Sequence, residues 1–505
     1  MAIISTATEG ATAPEGCLLA IDQGTTNTKA ALVDPTTGAI LVSASRPLGI
    51  SFPVPGAVEQ DAEELWAATL AAVEECLRGS ALRCLGIAIS NQRESVVTWD
   101  RRTGAAIGPV LGWQDARTAA WCADLAAARP DAAELVRSRS GLSLDPMFSA
   151  PKMRWALDSA VAAGIDPADV LLGTVDSWLV HRLTGEHATD VGNASRTLLL
   201  DLGSLEWDAD LLELFGIPRA NLPEVRASDA GFGRTVGTGL LPAGIPVVAV
   251  LADSHAALFH HRCTVPGTGK VTFGTGSSVM TPAAGPDLAP QGIATTVAWS
   301  IGGVVTYARE GNIVASGSAL DWMARTLGAP AGVSGGAFLT ELAAAVPDAA
   351  GVAFVPAFTG LAAPYMDRAA TGLLAGVTAG TTREHLARAA LEGVAHQVAD
   401  VVEAIESDGM ARIETLHADG GATASMLLMQ LQADLLGRPL LVADAPEASA
   451  LGVALLAART LGRDPWEPEP GTSVDPDPDL GERSARRRRW SQAVARSRGR
   501  AVVQD

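Results

Sequence analysis

The 505-residue chain contains no apolar run approaching the roughly 18 to 20 residues that cross a bilayer, which excludes a transmembrane helix. Its opening, Met1-Ala2-Ile3-Ile4-Ser5-Thr6, lacks the basic and apolar regions of a secretory signal, so a cytoplasmic location without a membrane partner is expected. Cysteine is sparse: Cys17, Cys76, Cys84, Cys122 and Cys263 are odd in number, with no C-x-x-C pair and no histidine at zinc spacing. The thiols therefore read as small buried apolar groups in a reducing compartment. Positive charge is short as well. With 37 basic and 56 acidic residues the net charge is −19, a field that repels polyanions and argues against nucleic acid as a partner. Only three of the basic residues are lysines, Lys29, Lys152 and Lys270, and each lies in or beside a motif discussed below. There is also no G-x-x-x-x-G-K-[ST] loop and no G-x-G-x-x-G turn at a strand–helix junction, which argues against the P-loop and Rossmann routes to a nucleotide.

What is present is ample apolar material, 48% hydrophobic against 18% charged residues. Single cores stop growing at about 250 to 300 residues, so two domains are expected. Leu18-Leu19-Ala20-Ile21 reads as a strand, followed by the hydroxyl-rich stretch Asp22-Gln23-Gly24-Thr25-Thr26-Asn27-Thr28-Lys29 and a second strand, Ala30 to Val33. Between Asp61 and Arg78 the positions Leu65, Trp66, Leu70, Val73 and Leu77 recur at helical spacing, and the strand Leu85 to Ile89 comes next. Such alternation predicts a layered α/β fold. About 250 residues further on, the scale of one domain, Lys270 to Phe273 and Gly274-Thr275-Gly276-Ser277-Ser278 repeat the logic of strand, hydroxyl-rich tip, strand. The boundary is placed near residues 255 to 265, giving domains 1–258 and 259–465. Residues 466–505 form a polar tail, expected to be partly disordered, whose Arg486 to Arg489 run reads as a solvated face.

Hydroxyls and backbone N–H groups at a Gly-containing turn can cradle phosphate oxygens, with a following lysine as point charge, which is what Gly24, Thr25, Thr26 and Lys29 offer. One copy reads equally as an ordinary hairpin; two copies point to a triphosphate held between domains. Asp22, at its strand end, suits Mg2+, which needs few protein carboxylates, or turn capping. Asp253 follows the apolar run Ile245 to Leu251, where it suits a general base or a helix N-cap. Arg93 and Glu94 can exchange hydrogen bonds with hydroxyls and Trp113 can pack on a polyol, with ion pairing and core packing as the alternatives. Asp419-Gly420-Gly421-Ala422-Thr423-Ala424-Ser425, between a strand and a helix, could seat adenine or ribose or be a plain turn.

With Ile21-Asp22-Gln23-Gly24-Thr25-Thr26, Ser90-Asn91-Gln92-Arg93-Glu94, Trp113-Gln114-Asp115, Asn193-Ala194-Ser195-Arg196-Thr197, Pro356 to Gly360 and Asp419-Gly420-Gly421-Ala422 in this order, the chain resembles the FGGY carbohydrate kinases, and among them the glycerol kinases, from about Cys17 to Leu461. Met147 to Trp155 and Gly372 to Glu392 also resemble that family's signature stretches. The resemblance implies two actin-like domains of the ribonuclease H type around a cleft, with ATP and Mg2+ as cofactors and a small polyol or sugar as partner. It assigns Asp253 as the base, Asp22 to the metal, Thr26, Lys29, Thr275 and Gly276 to phosphate, Gly317, Asp321, Gly421 and Ser425 to the nucleoside, and Arg93, Glu94, Trp113 and Asp253 to the acceptor. Met147 stands where those enzymes place a Tyr, Ser278 replaces a Phe, Ser254 a Gln, Lys29 an Arg and Ser425 an Asn. The first two changes imply a larger pocket, and an acceptor of four or five carbons (erythritol, xylulose or ribulose type) competes with glycerol. A non-catalytic sugar-binding regulator is the alternative from another class, and a homo-oligomer is left open.

Overall fold

The computed structural model describes residues 16–409, 412–443, 447–464, 466–477 and 483–499. Two mixed sheets organise it. The first runs Val247–Ala252, Cys84–Asn91, Cys17–Gln23, Asn27–Val33, Ile40–Pro47: an antiparallel three-stranded meander with two parallel strands added beside its first strand. The second repeats this order with Leu440–Val442, Thr415–Asp419, Thr268–Phe273, Ser277–Ala283 and Val304–Ile313, extended at its edges by Ala294–Ile301 and Thr472–Val474. The repeated hairpin of the sequence is thus the first hairpin of each sheet, and the fold is the two-lobed α/β architecture expected.

The strand Cys17–Gln23 is almost wholly buried because both faces of its sheet are covered. Alternation sends Leu19 and Ile21 to a core with Trp66 and Trp178, and Leu18 and Ala20 to a core with Leu455 and Phe259. The first core is closed by the helix Ala62–Arg78, whose N-cap Asp61 accepts hydrogen bonds from the backbone N–H groups of Glu63 and Glu64. The second is closed by two helices, Asp253–His260 and Ala448–Thr460. Residues 448–460 therefore share a core with the first sheet, although a cut at residue 258 assigns them to the second half.

In the tail, Thr472–Val474 pairs with Leu440–Val442 and the helix Arg483–Ser497 docks on the second half. Trp490 is 2% exposed and donates from Nε1 to Asp400 at 2.7 Å, while Arg487 reaches Asp400 and Glu403. The arginine run is one turn of this docked helix. Among the described residues, no helix is long and apolar enough to cross a membrane.

Candidate active site

Asp22 faces Lys29 across the first hairpin, because these two residues are register partners. Its carboxylate accepts from Ser90 Oγ at 2.9 Å; burial pushes its pKa up to about 6, against the opposing effects of Ser90 and Lys29. At the tip, Gly24 N–H donates to the Asn27 carbonyl at 3.0 Å and Trp113 Nε1 donates to Thr25 Oγ1 at 3.0 Å, while Thr26 is exposed. Lys29 Nζ lies 2.9 and 3.1 Å from the two carboxylate oxygens of Glu447.

The second tip is braced differently. The Gly274 carbonyl accepts from Gly317 N–H at 3.0 Å, and the Thr275 carbonyl accepts from the N–H groups of Ser316 and Ser318 at 3.1 and 3.0 Å. A Cβ on Gly276 would stand 2.3 Å from the Ile313 carbonyl oxygen and one on Gly317 2.5 Å from that of Gly274, so both positions require glycine for lack of room. Gly317 opens the helix Gly317–Thr326, which carries Asp321. A Cβ on Gly335 would meet Asp321 Oδ1 at 2.5 Å, and Ser425 Oγ lies 2.7 Å from Thr340 Oγ1. The helix Gly335–Ala344 therefore links Asp321 to Ser425, which itself caps the helix Met426–Leu436. Gly421 faces open space: a Cβ there would meet nothing within 4 Å.

Asp253 is the first residue of the helix Asp253–His260, directly after the strand Val247–Ala252; the N-cap is Ala252, so capping is not its role. Its side chain is 39% exposed and its Oδ1 stands 3.3 Å from Arg93 Nε. The packing around it pushes its carboxyl above the usual range, with the Arg93 charge opposing. Arg93 in turn holds Glu310 through two bonds of 2.8 and 2.7 Å. Glu310 also accepts from Ser278 Oγ at 2.7 Å and forms an ion pair with Arg196 at 3.0 Å, and Arg196 Nε donates to Glu94 at 2.7 Å. Burial works against the Glu310 carboxylate, but Arg196 and Arg93 outweigh it and hold its pKa well below normal. Glu310 is thus ionised and accepts only, so Ser278 must donate to it.

Two loops are tied together by one lysine. Lys152, fully buried, donates to the carbonyls of Gly112 at 3.2 Å and Met147 at 2.5 Å, tying the backbone next to Trp113 to that of Met147. Burial pushes its pKa down to about 8. Met147 packs partly buried against the core that includes Phe148 and Leu142.

The structure thus joins Asp253, Arg93, Glu94 and Ser278 in one network and links Trp113 to the first tip. Gly317 braces the second tip, and the helix Gly335–Ala344 connects Asp321 to Ser425. Sequence reasoning missed Glu310, Arg196 and Glu447. The signal for Glu310 was a charged pair, Arg309-Glu310, inside an otherwise strand-forming stretch, where burial makes pairing obligatory. Among the described residues no group of three or more metal-ligating side chains occurs. Asp22 alone, beside a glycine- and hydroxyl-rich turn, does fit Mg2+, which takes one or two carboxylates together with phosphate oxygens and water.

Known proteins share this sequence pattern and this fold. The N-terminal domain profile of the FGGY family of carbohydrate kinases matches residues 17–260 and the C-terminal domain profile residues 269–461. A glycerol kinase of Citrifermentans bemidjiense is 44% identical over 454 residues, covering 88% of this chain and 90% of its own. An apulose kinase of Pectobacterium atrosepticum is 44% identical over 497 residues, covering 95% and 98%. In three dimensions the chain resembles Plasmodium falciparum glycerol kinase with ADP (TM-score 0.86, 27% identity, 97% and 99% covered) and Rhodospirillum rubrum xylulose kinase (TM-score 0.82, 29% identity, 94% and 97% covered). With both profiles in order over nearly its whole length, this chain belongs to the FGGY family of carbohydrate kinases, phosphotransferases with an alcohol group as acceptor.

Proposed function

We propose that this kinase transfers the γ-phosphoryl group of ATP to a primary hydroxyl of a polyol or ketose of four or five carbons, with Asp253 as general base. The observation that carries the reading is the Asp253 carboxylate: accessible, at a helix start, and set beside Arg93 in a network built from both halves of the chain. Its raised pKa makes it a better proton acceptor than an ordinary carboxylate at neutral pH. Asp253 takes the hydroxyl proton as that oxygen forms a bond to the γ-phosphorus, and the bond to the β,γ-bridging oxygen breaks, its electrons leaving with ADP. The Gly24 to Thr26 tip and the Gly274 to Gly276 tip orient the triphosphate, which is most of what phosphoryl transfer needs from a protein. Asp22 would hold Mg2+, which would supply charge neutralisation to the triphosphate. Arg93 and Glu94 orient the acceptor, and Trp113 covers its C–H face while anchoring the first tip.

The acceptor size follows from Ser278 and Met147. A hydroxyl and a thioether leave more room than two aromatic walls, and the likeness to an apulose kinase and to a xylulose kinase supports a five-carbon acceptor. Glycerol is the second reading, favoured by the 44% identity with a glycerol kinase. Turnover of glycerol, erythritol, D-xylulose, D-ribulose and apulose with ATP-Mg2+ decides between them. The proposal expects kcat/KM to be highest on a four- or five-carbon acceptor, and dominant turnover of glycerol overturns the enlarged pocket. Retention of Asp253 and both tips speaks against a non-catalytic regulator.

A further inference from the structure

A second buried polar network lies outside the acceptor site, where the two halves meet. His261 follows the last residue of the helix Asp253–His260 and caps its C-terminal end. Its Nε2 stands 2.7 Å from Oδ2 of Asp419, and both side chains are 5% exposed. Asp419 is the last residue of the strand Thr415–Asp419 and the first of the Asp419-Gly420-Gly421 turn. Its register partner on the neighbouring strand is Thr272, whose hydroxyl receives Lys270 Nζ at 2.8 Å. Lys270 is itself fully buried on the strand that leads into the Gly274 to Gly276 tip. The His417 ring stacks on His261 with centroids 5.0 Å apart.

The network therefore joins three elements that carry different parts of the proposed chemistry. The helix begins at Asp253 and ends at His261, a rigid rod of about 12 Å at 1.5 Å per residue. Its far end is pinned to the turn holding Gly421, and the same carboxylate lies beside the strand that leads into the second phosphate tip. Burial disfavours the charged Asp419, but His261 and Lys270 outweigh it and hold it in its ionised form, an acceptor only, so His261 Nε2 donates. Gly420 has no slack to adjust if that pin is lost: its φ is +96° and a Cβ there would lie 2.5 Å from the Phe273 carbonyl oxygen.

We propose that His261 is a positioning residue that sets the nucleotide turn and the base-bearing helix in one register through its bond to Asp419. The inference rests on the reading that the nucleotide lies against Gly421. Removing the bond loosens the turn on its side of the cleft while Arg93, Glu94 and Trp113, which make no contact with it, keep their places.

Isothermal titration calorimetry of the full chain with ADP tests this, with thermal melting recorded alongside. His261→Ala is expected to weaken ADP binding about tenfold, because it removes the charge-assisted hydrogen bond that holds the turn. His261→Gln, which keeps an N–H donor on a side chain of similar reach, should recover most of it. Should His261→Ala fail to fold, His261→Asn takes its place, because its shorter amide stops short of Asp419. A lowered melting temperature with unchanged ADP affinity, or equal losses for Gln and Ala, overturns the proposal, since a merely structural role moves stability and not the Gln-dependent affinity. Gly421→Val separates the underlying reading: a Cβ there meets nothing in the protein within 4 Å, so the variant should fold and weaken ADP binding. If it binds ADP normally, the nucleotide lies elsewhere and the inference falls with the reading; if it weakens ADP while His261→Ala does not, only the inference falls.

Discussion

In the first hairpin the lysine, Lys29, stands on the returning strand, 36% exposed and paired with Glu447 from the far end of the chain. In the second, Lys270 stands on the entering strand, fully buried, with its ammonium on Thr272. The same five-strand order thus carries two kinds of turn. The first tip presents the exposed Thr26 hydroxyl, with the half-buried Lys29 charge paired to Glu447 beside it. The second is held from behind, its carbonyls tied to the start of the helix Gly317–Thr326, with glycine where any side chain would strike backbone. A repeated fold therefore does not repeat its local build: one hairpin presents side chains at its tip, the other a tip shaped and braced by backbone. The floor between them, Arg93, Glu310, Arg196 and Glu94, is a buried ionic network shared by both halves.

The contrast can be broken at several points. Asp253→Asn removes the proposed base without touching either tip, and is expected to lower kcat by about a hundred- to ten-thousandfold with ADP affinity nearly unchanged. Glu310→Gln leaves Arg93 and Arg196 buried with no carboxylate between them. Losing one partner of such a group costs about 3 to 5 kcal/mol, read by chemical denaturation. Gly276→Ala overpacks the braced tip, at a cost of about 1 to 3 kcal/mol, and should raise KM for ATP. Asp22 titrates near 6 in the folded chain against an ordinary 3.8, so the folded state holds more protons between those values and stability falls as pH rises through that window. Asp22→Asn should flatten that slope and add about 1 to 2 kcal/mol at pH 7 in thermal or chemical melts, the partial solvation of the carboxylate keeping the gain small. The smallest effect on stability belongs to Lys29→Met, under about 1 kcal/mol for so exposed a pair, although KM for ATP should rise several-fold.

Much of the fold was legible because hydrophobic alternation and the paired glycine- and hydroxyl-rich tips are local signals. Asp253 was legible for the same reason: a lone carboxylate after six apolar residues marks a strand end. The partners were not. Glu310 is 217 residues from Arg93, Glu447 is 418 from Lys29 and Asp419 is 158 from His261, so each pairing exists only once the sheets are set side by side. Ser278 shows the same limit: its hydroxyl could be read from the chain, but its commitment to Glu310 could not. The burial of Trp490 within a tail that reads as polar depends on Asp400, 90 residues earlier, to take its indole N–H.

The most direct test is the structure of the protein with a five-carbon acceptor and a non-hydrolysable ATP analogue. The account predicts the acceptor's primary hydroxyl within about 3 Å of the Asp253 carboxylate and in line with the γ-phosphorus, with the triphosphate between the two tips. An acceptor bound away from Asp253, or a triphosphate touching only one tip, contradicts it.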